Sequence, residues 1–87
     1  MATVIVPALF RDLCGGSSKL ELDGATLEQL LRAADTRCPG FYDRVVDSGR
    51  VRPELAVAIN GEMESAQLHD AISPNAEIAI VPAIGGG

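Results

Sequence analysis

The sequence is short of the side chains that hold metals or carry out acid–base chemistry. It has no tryptophan, 3% aromatic residues, one histidine and two cysteines. Cys14 and Cys38 do not form a CxxC motif, and with His69 as the single imidazole there is no set of zinc ligands. No carboxylate or nucleophile stands at a catalytic spacing from His69, so we expect an exposed turn residue there. In a reducing compartment we expect both cysteines to be ordinary thiols, buried or partly so.

Long apolar runs and an excess of basic charge are also missing. No apolar stretch approaches the roughly 20 residues of a membrane span, and the opening residues 1–4 lack the basic start of a signal peptide. We therefore expect a cytoplasmic protein without a membrane partner. The net charge of −5 and the pI near 4.6 make nucleic acid a poor partner and favour a basic protein surface. The 87 residues, 47% of them hydrophobic, suit one domain with an aliphatic core.

Apolar periodicity and turn residues predict the order of the elements. Alternation predicts strands over residues 3–7, 19–23, 55–59, 62–64 and 77–81, with residues 8–14 helical or irregular. Thr26 and Gln29 form a capping box at the start of the main helix. One apolar stripe follows on that helix: Leu27, Leu30, Leu31, Ala34 and Cys38. A short second helix is expected after Pro39–Gly40, then a polar loop over residues 47–53 whose arginines are solvated.

The first and last strands are apolar on both faces, as in Val4, Ile5 and Val6, which predicts interior positions in the sheet. If they lie side by side, the main helix crosses one face. The sequence therefore predicts an α+β protein with the β-grasp, ubiquitin-like fold: a mixed sheet of four to five strands with one main helix packed across it. Residues 1–87 would form this single domain, and residues 82–87 a flexible C-terminal tail.

The tail ends in three glycines after Pro82. The terminal carboxylate of Gly87 is ionised at neutral pH. It can attack the α-phosphate of ATP to give an acyl-adenylate, which a sulfur or amine nucleophile then displaces. Because glycine has no Cβ, such a tail is thin enough to enter another protein's active site. The alternative interpretation of the same residues is a frayed end without a function.

The chain resembles the ThiS/MoaD family of ubiquitin-like sulfur carriers along essentially its whole length. The resemblance rests on five segments in the family's order: Phe10–Gly15, Gly24–Leu31, Cys38–Phe41, Ala58–Glu62 and Ile80–Gly87. The last of these, with its proline and closing diglycine, is the specific one. Two positions depart from the family pattern. Gly85 replaces the usual alanine, and Asn75–Ala76 replaces an acidic Gly-Asp turn before the last strand.

The resemblance implies a carrier protein rather than an enzyme. Gly87 would be adenylated and converted to a thiocarboxylate, with Gly86 as the second member of the diglycine. ATP and Mg would be used by a partner, an adenylating enzyme related to ubiquitin-activating enzymes, and the carrier itself would bind no cofactor or metal. Sulfur would come from a sulfurtransferase and pass to an acceptor enzyme, such as the molybdopterin synthase large subunit or a cysteine synthase. In the first case the chain would be a non-catalytic small subunit.

A docking surface is expected close to the tail. The candidate contact residues are Val81, Pro82, Ile84, Gly85, Phe10 and Arg11, with Leu9 as an alternative to Phe10. Core packing is the alternative interpretation for Val81 and Phe10, and simple solvation for Arg11.

Three pathways remain open within the family: molybdopterin synthesis, thiamin thiazole formation and a cysteine-forming route. The insert at residues 47–53 and the Pro82–Ile84 ending look more like the cysteine type. A ubiquitin-like modifier joined to lysine through Gly87 is a second class of function. A β-grasp binding domain with an inert tail is a third.

Overall fold

A mixed five-stranded sheet carries the fold, with strand order β2-β1-β7-β5-β6. The computed structural model describes residues 1–64 and 66–82. The strands are β1 (Ala2–Ile5), β2 (Lys19–Leu22), β3 (Val46–Asp47), β4 (Arg50–Val51), β5 (Leu55–Ile59), β6 (Glu62–Glu64) and β7 (Glu77–Pro82). The helices are a 3-10 helix (Ala8–Cys14), α1 (Leu27–Arg37) and α2 (Phe41–Val45).

The first and last strands lie side by side at the centre of this sheet, as predicted. β1 pairs with β7 in parallel, with Val4 opposite Ile78, and the other pairings in the sheet are antiparallel. A parallel pair needs a crossover connection, and α1 lies in it. The β-grasp prediction is therefore confirmed, and β2, with its alternating burial, is the expected half-buried edge strand.

Helix α1 begins where the capping box predicts. The Thr26 hydroxyl accepts a hydrogen bond from the Gln29 N–H at 3.2 Å. The Gln29 side-chain oxygen accepts from the Ala25 N–H at 2.7 Å, one residue before the expected partner. The predicted apolar stripe is buried in full. Gly24 lies so close to the helix that a Cβ there would be 3.0 Å from the Leu30 backbone nitrogen and side chain.

The core lies between α1 and one face of the sheet. Its fully buried members include Val4, Leu27, Leu30, Leu31, Phe41, Ile78 and Ile80. Ile80 is 1% exposed. Aliphatic side chains dominate this core, as the composition predicts, and its two phenylalanine rings, Phe10 and Phe41, meet edge to face with centroids 6.0 Å apart.

The polar loop predicted over residues 47–53 is wrong in part. A small hairpin, β3–β4, occupies it, with Val46 opposite Val51. Ser48 and Gly49 turn the chain with φ of 54° and 79°, the left-handed conformation that tight hairpins need. The Arg52 guanidinium is not simply solvated, because Nε and Nη2 donate to the Asp43 carbonyl oxygen at 3.1 and 2.8 Å.

The expectation of two ordinary thiols is also wrong. A disulfide joins Cys14 and Cys38, whose Cα atoms are 4.6 Å apart. Cys14 ends the 3-10 helix just before Gly15, which turns the chain at φ 64°. Cys38 ends α1, its N–H donating to the Ala34 carbonyl at 2.7 Å. Phe10 in the 3-10 helix also contacts Phe41, the first residue of α2, three residues after Cys38.

None of the helices within the described ranges combines the length and the apolar character needed to cross a bilayer.

Candidate functional site at the end of the central strand

Strand β7 is the last described element of the chain and ends at Pro82. Its pairing with β1 runs from Glu77 to Ala79, whereas its pairing with β5 continues to Pro82, opposite Leu55. The last part of β7 is therefore held on the β5 side, and the described chain ends at Pro82, opposite the start of β5. We call this place the exit. The predicted reactive and tail residues Ile84, Gly85, Gly86 and Gly87 lie outside the described residues.

The sheet face opposite α1 presents a row of apolar residues beside the exit. Residues opposite each other in a register point to the same face. The register joins Ile5 to Ala79, Ala79 to Ala58, and Ala58 to Met63. A second, shorter row pairs Val81 with Ala56. We call these six residues the open face: Ile5, Ala56, Ala58, Met63, Ala79 and Val81.

The open face differs in burial from the face that α1 covers. Met63 is 64% exposed, and the other open-face residues are half-buried. An apolar patch of this kind makes the open face a candidate interaction site. Val81 was predicted from the sequence as a contact residue, but the other five residues of the open face were not. Which of them lie next to each other depends on which strands pair. The Asn60–Gly61 hairpin is the one signal that placed Met63 beside β5, with Asn60 and Gly61 at φ 53° and 85°.

A second surface lies on the other side of the exit. Because β1 runs parallel to β7, its end brings the 3-10 helix to the same end of the sheet. A groove there is lined by Leu9, Phe10, Arg44, Arg52, Glu54 and Leu55. Leu9 is 68% exposed, one of the most exposed large apolar side chains of the described chain.

Phe10 and Arg11 are placed differently from each other. Phe10 is 4% exposed and packs in the core, which agrees with the alternative interpretation of this residue, whereas Leu9 is the exposed one of the two candidates. The Arg44 guanidinium lies 5.9 Å from the Phe10 ring centroid and covers it from the groove side. Arg11 is exposed, and its Nε donates to the Val6 carbonyl at 3.3 Å, which holds the side chain beside the end of β1.

The remaining polar groups give no sign of a reacting centre. Within residues 1–64 and 66–82, no group of three His, Cys, Asp or Glu side chains could hold a metal ion. The His69 side chain is 81% exposed, with Nε2 4.0 Å from Asp70 Oδ1, as expected for a turn residue. On α1, a 3.0 Å hydrogen bond to Glu28 raises the pKa of the Arg32 guanidinium.

The fold defines a ubiquitin-like β-grasp protein, in which the described chain ends on the central strand β7 beside an apolar face. The ThiS family model matches residues 4–87. The chain therefore belongs to the ThiS family of small ubiquitin-like sulfur carriers. Members of this family are generally non-catalytic.

Solved structures with this fold include two CysO proteins. A chain of the Amycolatopsis orientalis BexX/CysO complex is 27% identical, with a TM-score of 0.89 and 100% of both chains covered. CysO from Mycobacterium tuberculosis is 25% identical, with a TM-score of 0.89, 97% of this chain covered and 100% of that one. SAMP1, the small archaeal modifier protein 1 of Haloferax volcanii, is 28% identical with a TM-score of 0.71, covering 99% and 98%. The comparison with curated proteins found no match.

Proposed function

We propose that this chain is a sulfur carrier whose terminal Gly87 carries the sulfur as a thiocarboxylate. The observation that supports this most strongly is the exit. β7 is paired in the middle of the sheet up to Pro82, five residues before Gly87. The family match continues through these residues to position 87. The segment that carries Gly87 would thus follow directly on β7, a strand that is paired on both sides.

The chemistry needs no catalytic side chain from the carrier. The Gly87 carboxylate attacks the α-phosphate of ATP and releases pyrophosphate. A persulfide sulfur then displaces AMP from the acyl carbon, and a thiol cleaves the resulting S–S bond to leave the thiocarboxylate. ATP and Mg are held by the adenylating partner, and the persulfide by that partner or a sulfurtransferase. Gly85 and Gly86 give the tail the thinness to enter the partner's site.

We assign docking of the adenylating partner to the open face. The face is apolar, adjoins the exit and includes Val81, which lies on β7 itself beside Pro82. Met63, the most exposed member, would insert into an apolar pocket of the partner, since its flexible thioether adapts to irregular surfaces. Leu9, Arg11 and Ile84 would add contacts around the exit. The net charge of −5 favours a partner whose surface is basic around this contact.

The acceptor is proposed from similarity alone. A CysO protein has been crystallised in complex with BexX, so a CysO-like chain can assemble with another protein. We propose an acceptor of the cysteine-forming type for this chain, with molybdopterin synthase as the alternative. We propose no nucleic-acid partner.

Deletion of Gly87 tests the proposal. The deletion removes the carboxylate from its position, so sulfur loading by the adenylating enzyme should fall to background. Gly85→Ala is the matched control, since it keeps the length and the terminal residue, and it should retain most of the loading. A Gly87-deleted chain that still accepts sulfur would show that Gly87 is not the residue that is loaded. If the deleted chain accepts no sulfur but supports the cellular function as well as the full chain does, only the binding-domain interpretation is left.

Conjugation to other proteins is the second candidate, favoured by the 28% identity to SAMP1. The same adenylated Gly87 would then react with a lysine amine instead of sulfur. Recovery of the chain from cells separates the two functions. A carrier appears as the free chain with a terminal thiocarboxylate, whereas a modifier appears as an isopeptide between Gly87 and lysines of other proteins.

A further inference from the structure

The Cys14–Cys38 disulfide has no part in the proposed sulfur loading, yet it lies next to the surface around the exit. Cys14 is the last residue of the 3-10 helix that carries Leu9, and Cys38 ends α1. The bond therefore ties the wall of the groove to the helix that covers the core.

Few other interactions hold the 3-10 helix in place. Its turns are closed by local hydrogen bonds, from the Phe10 N–H to the Pro7 carbonyl and from the Gly16 N–H to the Arg11 carbonyl. Among the described residues, no hydrogen bond links it to α1 or α2. Phe10 packs on Phe41, and Leu13 lies against the core. A 3-10 helix has poorer hydrogen-bond geometry than an α-helix, so this segment depends on its anchors.

The two sulfur atoms differ in access. Cys38 is 1% exposed, whereas Cys14 is half-buried at the surface. Only Cys14 can be reached by a thiol or a disulfide from solution without opening the core. Such an asymmetric pair is suited to exchange, because one sulfur reacts with the external group and the other resolves it.

We propose that Cys14 and Cys38 form a reversible redox site that locks the 3-10 helix beside the exit when oxidised and releases it when reduced. The oxidant is a disulfide of low molecular weight, such as oxidised glutathione. The Cys14 thiolate attacks it and expels one thiolate, which leaves a mixed disulfide. The Cys38 thiolate then attacks the Cys14 sulfur and expels the second. Two electrons pass to the incoming disulfide, and the protons from the two cysteines end on its two thiols.

Reduction removes the covalent tie and leaves Phe10 and Leu13 as the remaining anchors. The 3-10 helix then opens more often, and Leu9 with it, while the sheet keeps its strand pairing in the folded state. The redox state thereby sets how firmly the groove is held. This inference concerns the chain alone, and it stands whether or not Gly87 carries sulfur.

The test compares the chain after treatment with oxidised glutathione and after dithiothreitol. Thiols are counted in denaturant, and hydrogen exchange is followed by mass spectrometry. We expect no free thiol in an oxidised monomer and two in the reduced one. Amides of residues 8–17 should exchange about tenfold faster after reduction, because local opening sets their rates. The melting temperature should fall by roughly 10 °C, given the 24-residue separation.

Cys14→Ser is the control variant, since it removes the accessible sulfur and leaves buried Cys38 in place. Its exchange over residues 8–17 should match the reduced chain under both treatments. Three results would overturn the proposal. They are free thiols that persist after oxidation, a disulfide that forms only between two chains, and equal exchange of residues 8–17 in the two forms.

Discussion

The two faces of the central sheet are made from neighbouring residues of the same strands, yet they do different work. Ile78 and Ile80 of β7 point to α1 and are buried, whereas Ala79 and Val81 point away from it and are half-buried. The covered face holds the fold together. The open-face residues are less buried than those beneath α1, and we propose that a partner covers them.

This difference has a consequence for the carrier. A partner that binds the open face near the exit would leave the packing beneath α1 unchanged, because the side chains of the two faces share only the backbone. Substitutions on the two faces should therefore differ in their effect, with the largest loss of stability on the face that α1 covers.

Aspartate substitutions at neighbouring positions of β7 compare the faces directly. Ile80→Asp buries an unpaired charge and should lower the free energy of unfolding by about 4 kcal/mol or more, enough to unfold much of the protein. Val81→Asp is the matched control and should cost about 1 kcal/mol, since its side chain can reach water. Urea unfolding measures both. Equal losses would mean that the faces do not differ, and a stable Ile80→Asp variant would contradict the position of the strand.

Gly24→Ala tests how closely α1 is fitted over the covered face. The added Cβ would meet the Leu30 nitrogen and side chain at 3.0 Å and Gln29 Cβ at 3.1 Å. Such overpacking typically costs about 1–3 kcal/mol. The same unfolding experiment gives the value. A variant as stable as the original would show that the start of α1 can move away, and that the close approach of residue 24 is not required.

Thr26→Ala removes the cap of α1. The Gln29 N–H would lose its 3.2 Å partner, at a cost of about 1 kcal/mol. Thr36→Ala is the control within the same helix, because its hydroxyl bonds back to the Arg32 carbonyl and caps nothing. We expect a change below about 0.5 kcal/mol there. If thermal melts show the two variants to be equal, the cap does not determine where α1 begins.

Met63→Ala should have the smallest effect on stability and a clear effect on binding. The side chain is 64% exposed, so the free energy of unfolding should change by less than about 0.5 kcal/mol. Affinity for the adenylating partner, measured by calorimetry, should fall about tenfold, as expected for an apolar anchor. Glu21→Ala, at an exposed position of the edge strand β2, serves as the control and should bind normally. Unchanged binding by Met63→Ala would remove the open face from the proposed interface.

Local signals account for what the sequence predicted correctly. The capping residues at Thr26 and Gln29, the α1 stripe and the Asn60–Gly61 turn each act over a few residues, and each is present in the structure. The first and last strands have apolar residues on both faces, which correctly predicted β1 and β7 at the centre of the sheet. The tail residues were predicted from the sequence too, and their role stays a prediction.

Features that depend on tertiary contacts were missed. The disulfide joins residues 24 apart whose approach depends on how the 3-10 helix packs against α1 and α2. The hairpin β3–β4 has two residues in each strand, too few to show a period. The open face exists only once the strand order brings Ala58 next to Ala79. In the same way, the sequence left Phe10 open between a docking contact and core packing, because its contact with Phe41 is distant in the chain.

We propose that the terminal carboxyl group of Gly87 carries the sulfur. The most direct measurement is tandem mass spectrometry of the C-terminal peptide after incubation with the adenylating enzyme, Mg-ATP and a persulfide donor. We predict a mass gain equal to the replacement of one oxygen by sulfur, located on Gly87 and dependent on ATP. A C-terminal peptide of unchanged mass, under conditions in which the enzyme loads another carrier, would contradict it.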